Sequence, residues 1–194
     1  TAHVSEGNKY HFNTPIVFYG SSITHGCSSS RTGNTYTAIL SRALDSDYIN
    51  LGFGESCKGE AIMAEYIASL KKSVFVCGYD HNALTLEELK ENHLPFYKRF
   101  RSIDKTTPIL FVSSPNVILH GDTKTMYERM KVIEDTYKFA LDSGDKKVYF
   151  INGRTLYPDD IRYDCSADGI HPNDLGAYMI AKGLYKELTK ILNR

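Results

Sequence analysis

The sequence predicts an α/β fold in which helices cover both faces of a five-stranded parallel sheet. Two observations support this prediction. Short apolar runs of strand length alternate along the chain with longer segments whose apolar residues recur at helical spacing. Strands that alternate with helices form parallel sheets, because each crossover returns the chain to the edge where the previous strand began. The 194 residues, 42% of them hydrophobic, suffice for one domain over residues 1–194 with a sizeable core.

Five apolar runs are the predicted strands. The first, residues 16–19, is apolar or aromatic at every position and leads directly into a turn of small residues, as a strand buried on both faces does. The other four runs are of strand length and largely apolar; they cover residues 48–51, 74–79, 108–113 and 148–151.

Helices are predicted between these strands and after the last one. Thr85-Leu86-Glu87-Glu88 has the form of a capping box and opens a helix that runs to about residue 103, with Pro95 as a candidate break. Apolar residues recur at helical spacing in 36–43, 126–140 and 177–191, and less regularly in 61–68.

A serine, Ser22, follows the first strand in the segment Gly20-Ser21-Ser22-Ile23-Thr24. A hydroxyl at the end of a buried strand suits nucleophilic chemistry, because the strand fixes it and the turn exposes it. Serine and glycine are also ordinary turn residues, so this segment alone leaves a purely structural turn open.

A histidine near the C-terminus could activate that serine. His171 lies in a loop before the last predicted helix, and Asp168 precedes it by three residues. The histidine could accept the serine proton, and the aspartate could fix the imidazole tautomer. Pro172 restricts His171 to extended backbone and Asn173 offers a helix N-cap, so the histidine is expected just ahead of the helix. The alternative is a solvated loop without catalytic function.

The segments Gly20–Thr24 and Asp168–Pro172 resemble the first and last sequence blocks of the SGNH/GDSL hydrolases, a family of esterases and lipases. The resemblance extends over nearly the whole chain. It implies that Ser22 is the nucleophile of a Ser-His-Asp triad with His171 and Asp168. It also implies a flavodoxin-like three-layer α/β/α sandwich with the strand order 2-1-3-4-5.

The resemblance further implies an oxyanion hole. Tyr79-Asp80-His81-Asn82 is similar to the third family block, whose asparagine, here Asn82, donates through its side-chain amide. The backbone amide of Ser22 is a second donor. The third is the amide of a glycine in the second block, which residues 50–56 resemble weakly. Counting from Asn50 puts Glu55 at the glycine position and Gly54 one residue before it.

Glu55 is the main departure from the family pattern. A backbone amide needs no particular side chain, but a carboxylate beside a developing oxyanion opposes its stabilisation. Either Glu55 points away, for example toward Lys58, or the loop shifts and Gly54 donates. A third alternative is an impaired site.

The predicted topology places all of these candidates at one edge of the sheet. Ser22, the Gly54 loop, Asn82 and the loop of Asp168 and His171 follow strands one, two, three and five. Ligands of open α/β sheets bind outside the carboxyl ends of the strands. The grouping therefore predicts a single site, independently of the family resemblance.

The predicted activity is hydrolysis of an ester through an acyl-enzyme, without a cofactor. The substrate is a small-molecule or carbohydrate ester, with a short acyl group on a carbohydrate as the favoured form. One alternative is a binding module that kept the fold but lost turnover. Another is a phosphate or nucleotide site on the Gly20–Gly26 loop, which would leave Asp168 and His171 without a purpose.

Charge and hydropathy argue against other partners. The 23 basic and 23 acidic residues balance, with no long block of one sign, so electrostatics give no case for nucleic acid or an anionic membrane. No apolar run approaches the roughly 20 residues of a membrane-spanning helix.

Several polar residues near the predicted site have alternative interpretations. Asp80, His81 and Arg31 could reach substrate or lie on the solvated surface. The chain has four cysteines, and those expected at one rim of the fold are Cys27, Cys57 and Cys165. Free thiols are expected, with a disulfide or a metal site including His25 or His81 as alternatives.

Overall fold

The computed structural model describes residues 2–115 and 123–193 and contains a five-stranded parallel sheet. The strand order is β2-β1-β3-β4-β5, and every pair of neighbours is parallel. The α/β fold class and the flavodoxin-like strand order are thus confirmed. The strands are β1 (Phe12–Gly20), β2 (Ser46–Gly52), β3 (Val74–Gly78), β4 (Ile109–Val112) and β5 (Val148–Ile151).

Helices connect the strands and cover both faces of the sheet. One helical turn, α1 (Ser22–His25), was not predicted, because four residues are too few to show a period. Pro95 does not break the helix predicted around it; α4 is continuous through this residue. The longer helices are α2 (Tyr36–Leu44), α3 (Ala61–Ser69), α4 (Leu86–Ile103), α5 (Thr123–Asp142) and α6 (Asp174–Ile191).

The core forms two layers, one on each face of the sheet. In β1, Ile16 and Phe18 face the layer built with α2 and α6, whereas Val17 and Tyr19 face the layer built with α3, α4 and α5. Successive side chains of a strand point to opposite faces, so a strand covered on both sides must be apolar throughout. This explains why residues 16–19 carry such a strong strand signal.

Three glycines lie side by side where three neighbouring strands end. Gly20 of β1 pairs with Gly52 of β2 and with Gly78 of β3. A Cβ on Gly20 would lie 2.6 Å from the Gly78 carbonyl oxygen, and one on Gly52 would lie 2.1 Å from the His25 amide nitrogen. Because glycine has no Cβ, α1 can rest directly on the sheet edge. The backbone of this edge therefore sets the position of Ser22.

Within the described part of the chain, no helix combines the length and the apolar character needed to cross a bilayer.

Candidate active site

Ser22 is the first residue of α1, directly after the end of β1. The Ser21 side chain caps this turn by accepting a hydrogen bond from the Ile23 amide at 3.2 Å. The turn is held from below, where the Thr24 and Tyr36 hydroxyls are 2.8 Å apart. Gly26 ends it in the left-handed region, with φ of 99°. These contacts fix the Ser22 hydroxyl at the carboxyl edge of the sheet.

The side chains of Ser22, His171 and Asp168 form a hydrogen-bonded line. Ser22 Oγ lies 2.9 Å from His171 Nε2, and His171 Nδ1 lies 2.6 Å from Asp168 Oδ2. The hydrogen bond from the His171 ring, followed by that from the His171 amide, lowers the pKa of Asp168 to about 2. Asp168 is thus ionised near neutral pH and accepts the Nδ1 proton, which leaves Nε2 of the neutral ring free to accept from Ser22.

A tight loop holds His171 in this orientation. Asp168 Oδ1 accepts hydrogen bonds from the amides of Ile170 at 2.9 Å and His171 at 2.7 Å. The His171 carbonyl accepts from the Ser166 hydroxyl at 3.0 Å. Asn173 caps α6 by accepting from the Gly176 amide at 3.0 Å. As the sequence predicts, the histidine lies just ahead of the helix.

The loop after β2 approaches Ser22 through Gly54. A Cβ built on Gly54 would lie 3.5 Å from Ser22 Cβ, so the Gly54 backbone borders the nucleophile. Glu55 follows with φ of 61° and an exposed side chain. Neither amide donates a hydrogen bond to another described residue. Both alternatives for the second-block donor are therefore available.

The suggested contact between Glu55 and Lys58 does not form. Glu55 has no ion pair within residues 2–115 and 123–193. The Lys58 ammonium donates to the main-chain carbonyl of Asn82 instead. The Glu55 carboxylate thus extends into solvent, where water screens its charge.

Asn82 ends a 3-10 turn, Asp80–Asn82, that follows β3. Its side-chain Nδ2 donates to the Phe53 carbonyl at 2.8 Å. This acceptor identifies which end of the amide is the NH₂ group, and it uses one of the two N–H bonds. The second N–H is left for another acceptor. Asn82 is 9% exposed, so the surrounding chain restricts its rotation.

Asp80 lies buried and hydrogen-bonded within the protein, whereas the sequence suggested a substrate contact or a solvated loop residue. It is 3% exposed, and its carboxylate accepts from the amide and the hydroxyl of Ser114 at 3.0 and 2.7 Å. Its carbonyl accepts from Arg129 at 2.7 Å. Asp80 therefore fastens the turn that carries Asn82 to the end of β4. The pairing could not be predicted, because Ser114 lies 34 residues further along the chain.

His81 and Arg31 have different environments. His81 is half-buried, and its burial lowers the pKa of the imidazole. The charge of Asp80 raises this pKa, whereas Arg129 and His171 lower it further. Arg31 lies exposed at the surface, where its Nε donates to Asn34 Oδ1 at 3.0 Å.

A polar clamp, formed by Ser30, Asn34 and Asp174, joins the loop after α1 to the start of α6. The Asp174 carboxylate accepts from the Ser30 amide at 2.9 Å, the Ser30 hydroxyl at 2.6 Å and Asn34 Nδ2 at 2.8 Å. Sequence reasoning missed it, because exposed polar residues 144 positions apart carry no periodic signal. The clamp connects the chain segments that carry Ser22 and His171.

The cysteines are free thiols. Cys27 is exposed, whereas Cys57 and Cys165 are buried in the core layers on opposite faces of the sheet. Of these three thiols, Cys27 is thus the one at the surface. Among the described residues, no three His, Cys, Asp or Glu side chains are grouped so that they could hold a metal ion.

The family described as GDSL-like lipase/acylhydrolase matches residues 13–189, which include every element of the site. The chain belongs to this family. This match confirms the family resemblance seen in the sequence. The members of this family are ester hydrolases. None of the curated proteins matches the chain.

Several solved structures share the fold of this family member. A protein assigned as a GDSL-like lipase from Bacteroides ovatus matches with a TM-score of 0.85 and 29% identity, over 96% of this chain and 55% of its own. The salicylyl-acyltransferase SsfX3 from a tetracycline biosynthetic pathway matches with a TM-score of 0.75 and 19% identity, over 92% and 55%. The chain thus spans about half the length of these two proteins.

A third structure is a family two carbohydrate esterase from Clostridium thermocellum in complex with cellohexaose. It matches with a TM-score of 0.68 and 17% identity, over 98% of this chain and 67% of that protein. At this identity the likeness shows a common fold.

Proposed function

We propose that this protein hydrolyses carboxylic esters with Ser22 as nucleophile, His171 as general base and acid, and Asp168 as the partner of the imidazole. The observation that supports it most directly is the unbroken line of hydrogen bonds from Ser22 Oγ through His171 to Asp168. A serine hydroxyl is a weak nucleophile until a base accepts its proton, and this arrangement provides the base and orients it.

In the first half of the reaction, His171 Nε2 takes the Ser22 proton while Oγ attacks the ester carbonyl. The carboxylate of Asp168 stabilises the imidazolium that forms. The imidazolium then protonates the leaving alcohol as the carbon–oxygen bond breaks, which leaves an acyl-enzyme. In the second half, water loses a proton to His171 and attacks the acyl group, and Ser22 recovers its proton as the carboxylic acid leaves.

The oxyanion formed in each half is held by donors from three loops. We assign these donors to the Ser22 amide, the Asn82 side chain and the amide of Gly54 or Glu55. Support comes from the free N–H of Asn82, from the Gly54 backbone beside Ser22 and from the two loop amides without a described acceptor. Because the Glu55 side chain is exposed, its charge weakens this stabilisation without abolishing it.

We further propose a carbohydrate ester with a short acyl group as the substrate. The support is the shared fold with a carbohydrate esterase that was solved with cellohexaose. The reaction requires no cofactor, because the side chains named above supply every proton transfer and the covalent intermediate.

The test is hydrolysis of p-nitrophenyl esters of increasing acyl length and of an acetylated oligosaccharide, with the native chain and Ser22→Ala. The variant is expected to lose at least about 10³-fold in kcat, because no other group replaces the nucleophile. Ser102→Ala is the matched control, since this exposed serine lies in α4 and its hydroxyl donates to the Arg99 carbonyl. Equal inactivity of the native chain and Ser22→Ala across all esters would instead favour a binding module without turnover.

A further inference from the structure

We propose that Lys58 is a positioning residue of the oxyanion hole, where its ammonium group holds the turn that carries Asn82 against the loop after β2. This inference rests on the proposed esterase function. Lys58 itself contacts neither Ser22 nor His171.

The two loops that supply the Asn82 and second-block donors come from strands that are not neighbours. In the sheet, β1 separates β2 from β3, so no ladder of strand hydrogen bonds fixes the ends of these two strands against each other. Two side-chain contacts join the loops instead. Asn82 Nδ2 donates to the Phe53 carbonyl at 2.8 Å, and the Lys58 ammonium donates to the Asn82 carbonyl. Each loop thus binds the main chain of the other.

The backbone beside Lys58 is itself firmly anchored. The Gly59 amide donates to the Tyr19 hydroxyl at 3.2 Å, and this hydroxyl donates to Glu60 at 3.2 Å. Tyr19 is a core residue of β1 with 1% exposure, and Cys57, on the other side of Lys58, is fully buried. The ammonium therefore extends from a fixed point of the core, not from a mobile surface loop.

The hydrogen-bonding capacity of Lys58 is directed at the oxyanion turn. Within the described residues, its ammonium group has no carboxylate partner, and its side chain is half-buried. A hydrogen bond from a cation to a carbonyl is stronger than one between neutral groups. Without it, the hydrogen bond from Asn82 to Phe53 would be the only side-chain hydrogen bond between the two donor loops within the described residues. An oxyanion donor displaced by a fraction of an ångström stabilises the transition state less than an aligned one.

The first test compares Lys58→Met with Lys58→Arg. The methionine variant keeps an apolar side chain of similar length and is expected to lower kcat on the order of tenfold, which is less than the 10² to 10³-fold loss of a whole donor. KM should change less than twofold, because the displaced group acts in the transition state. Arginine retains the charge and the donors, and it should restore most of the rate. Lys71→Met, at an exposed loop position, should match the native chain.

A double-mutant cycle with Asn82→Ala separates positioning from general destabilisation. If Lys58 acts through Asn82, the Lys58→Met change should cost nothing further in the Asn82→Ala background. Additive losses, or a loss that follows a fall in melting temperature, would overturn the inference. So would an active native chain whose Lys58→Met variant keeps the native kcat. A native chain that hydrolyses no ester would overturn the proposed function, and this inference with it.

Discussion

Glu55 combines two unfavourable properties at one position. Its φ of 61° lies in the left-handed region, which costs a residue with a side chain about 1–2 kcal/mol. Its carboxylate also belongs to the loop that we assign to oxyanion stabilisation. Sequence comparison with the family blocks identified this position, because glycine is expected there. The positive φ angle, which makes glycine favourable at this position, is shown by the structure and not by the sequence.

Glu55→Gly is expected to improve the protein in both respects. Glycine adopts this backbone angle without strain, but it loses more conformational entropy on folding than glutamate does. The net effect should raise the free energy of unfolding by about 0.5–1 kcal/mol. Removal of the carboxylate should raise kcat by about threefold. Chemical denaturation and ester hydrolysis measure the two effects.

The matched control is Asp45→Gly, which removes an exposed carboxylate from a backbone with φ of 48°. Asp45 precedes β2, at the edge of the sheet opposite the site. This variant should alter stability but not kcat. A fall in kcat for Glu55→Gly would contradict the assignment of this loop to the oxyanion hole.

At the scale of elements, the site depends on links between loops that the sheet does not join. One of these links is the clamp of Ser30, Asn34 and Asp174, whose hydrogen bonds lower the pKa of Asp174, with the Ser30 hydroxyl contributing most. A carboxyl group with a lowered pKa stabilises the folded state above its unfolded pKa. That contribution is lost as the pH falls through the folded pKa. The clamp should therefore hold at neutral pH and open in acid.

Asp174→Asn tests this link. Its single acceptor oxygen can keep the bond from the Ser30 amide, but an NH₂ group then replaces the oxygen that accepts from Asn34, so the variant loses that hydrogen bond. We expect kcat/KM to fall about twofold to tenfold at neutral pH, and the difference from the native chain to shrink toward acid pH. Asp142→Asn, at the exposed end of α5, is the control. A constant ratio at all pH values would contradict the clamp.

At the scale of the whole molecule, much of the architecture could be predicted from sequence. Strands such as 16–19 are buried on both faces, so their composition identifies them, and alternation with helices then places Ser22, Asn82 and His171 at one edge. Boundaries were less accurate: β1 begins at Phe12, where partly exposed residues precede the buried run. Contacts such as that of Asp80 with Ser114 could not be predicted from sequence, because they join loops whose spacing along the chain follows no rule.

The two core layers also separate the thiols, which a labelling experiment can detect. Burial raises the pKa of the Cys57, Cys77 and Cys165 thiols, whereas Cys27 is exposed. A water-soluble disulfide reagent should therefore modify one of the four thiols rapidly in the native protein and all four after unfolding. Cys27→Ser should abolish the rapid reaction. Two or more rapid thiols in the native protein would contradict the packing of these layers.

The close approach of α1 to Gly20 and Gly52 has a consequence for how such a protein can diverge. The turn that carries Ser22 rests on the main chain of Gly20 and Gly52, so peptide geometry sets its height above the sheet together with the contact between Thr24 and Tyr36. Substitutions deeper in the two layers can accumulate over generations while the reactive hydroxyl keeps its place. Tolerance of mutation in the interior and constancy at the rim thus have a common origin in the missing side chains of Gly20 and Gly52.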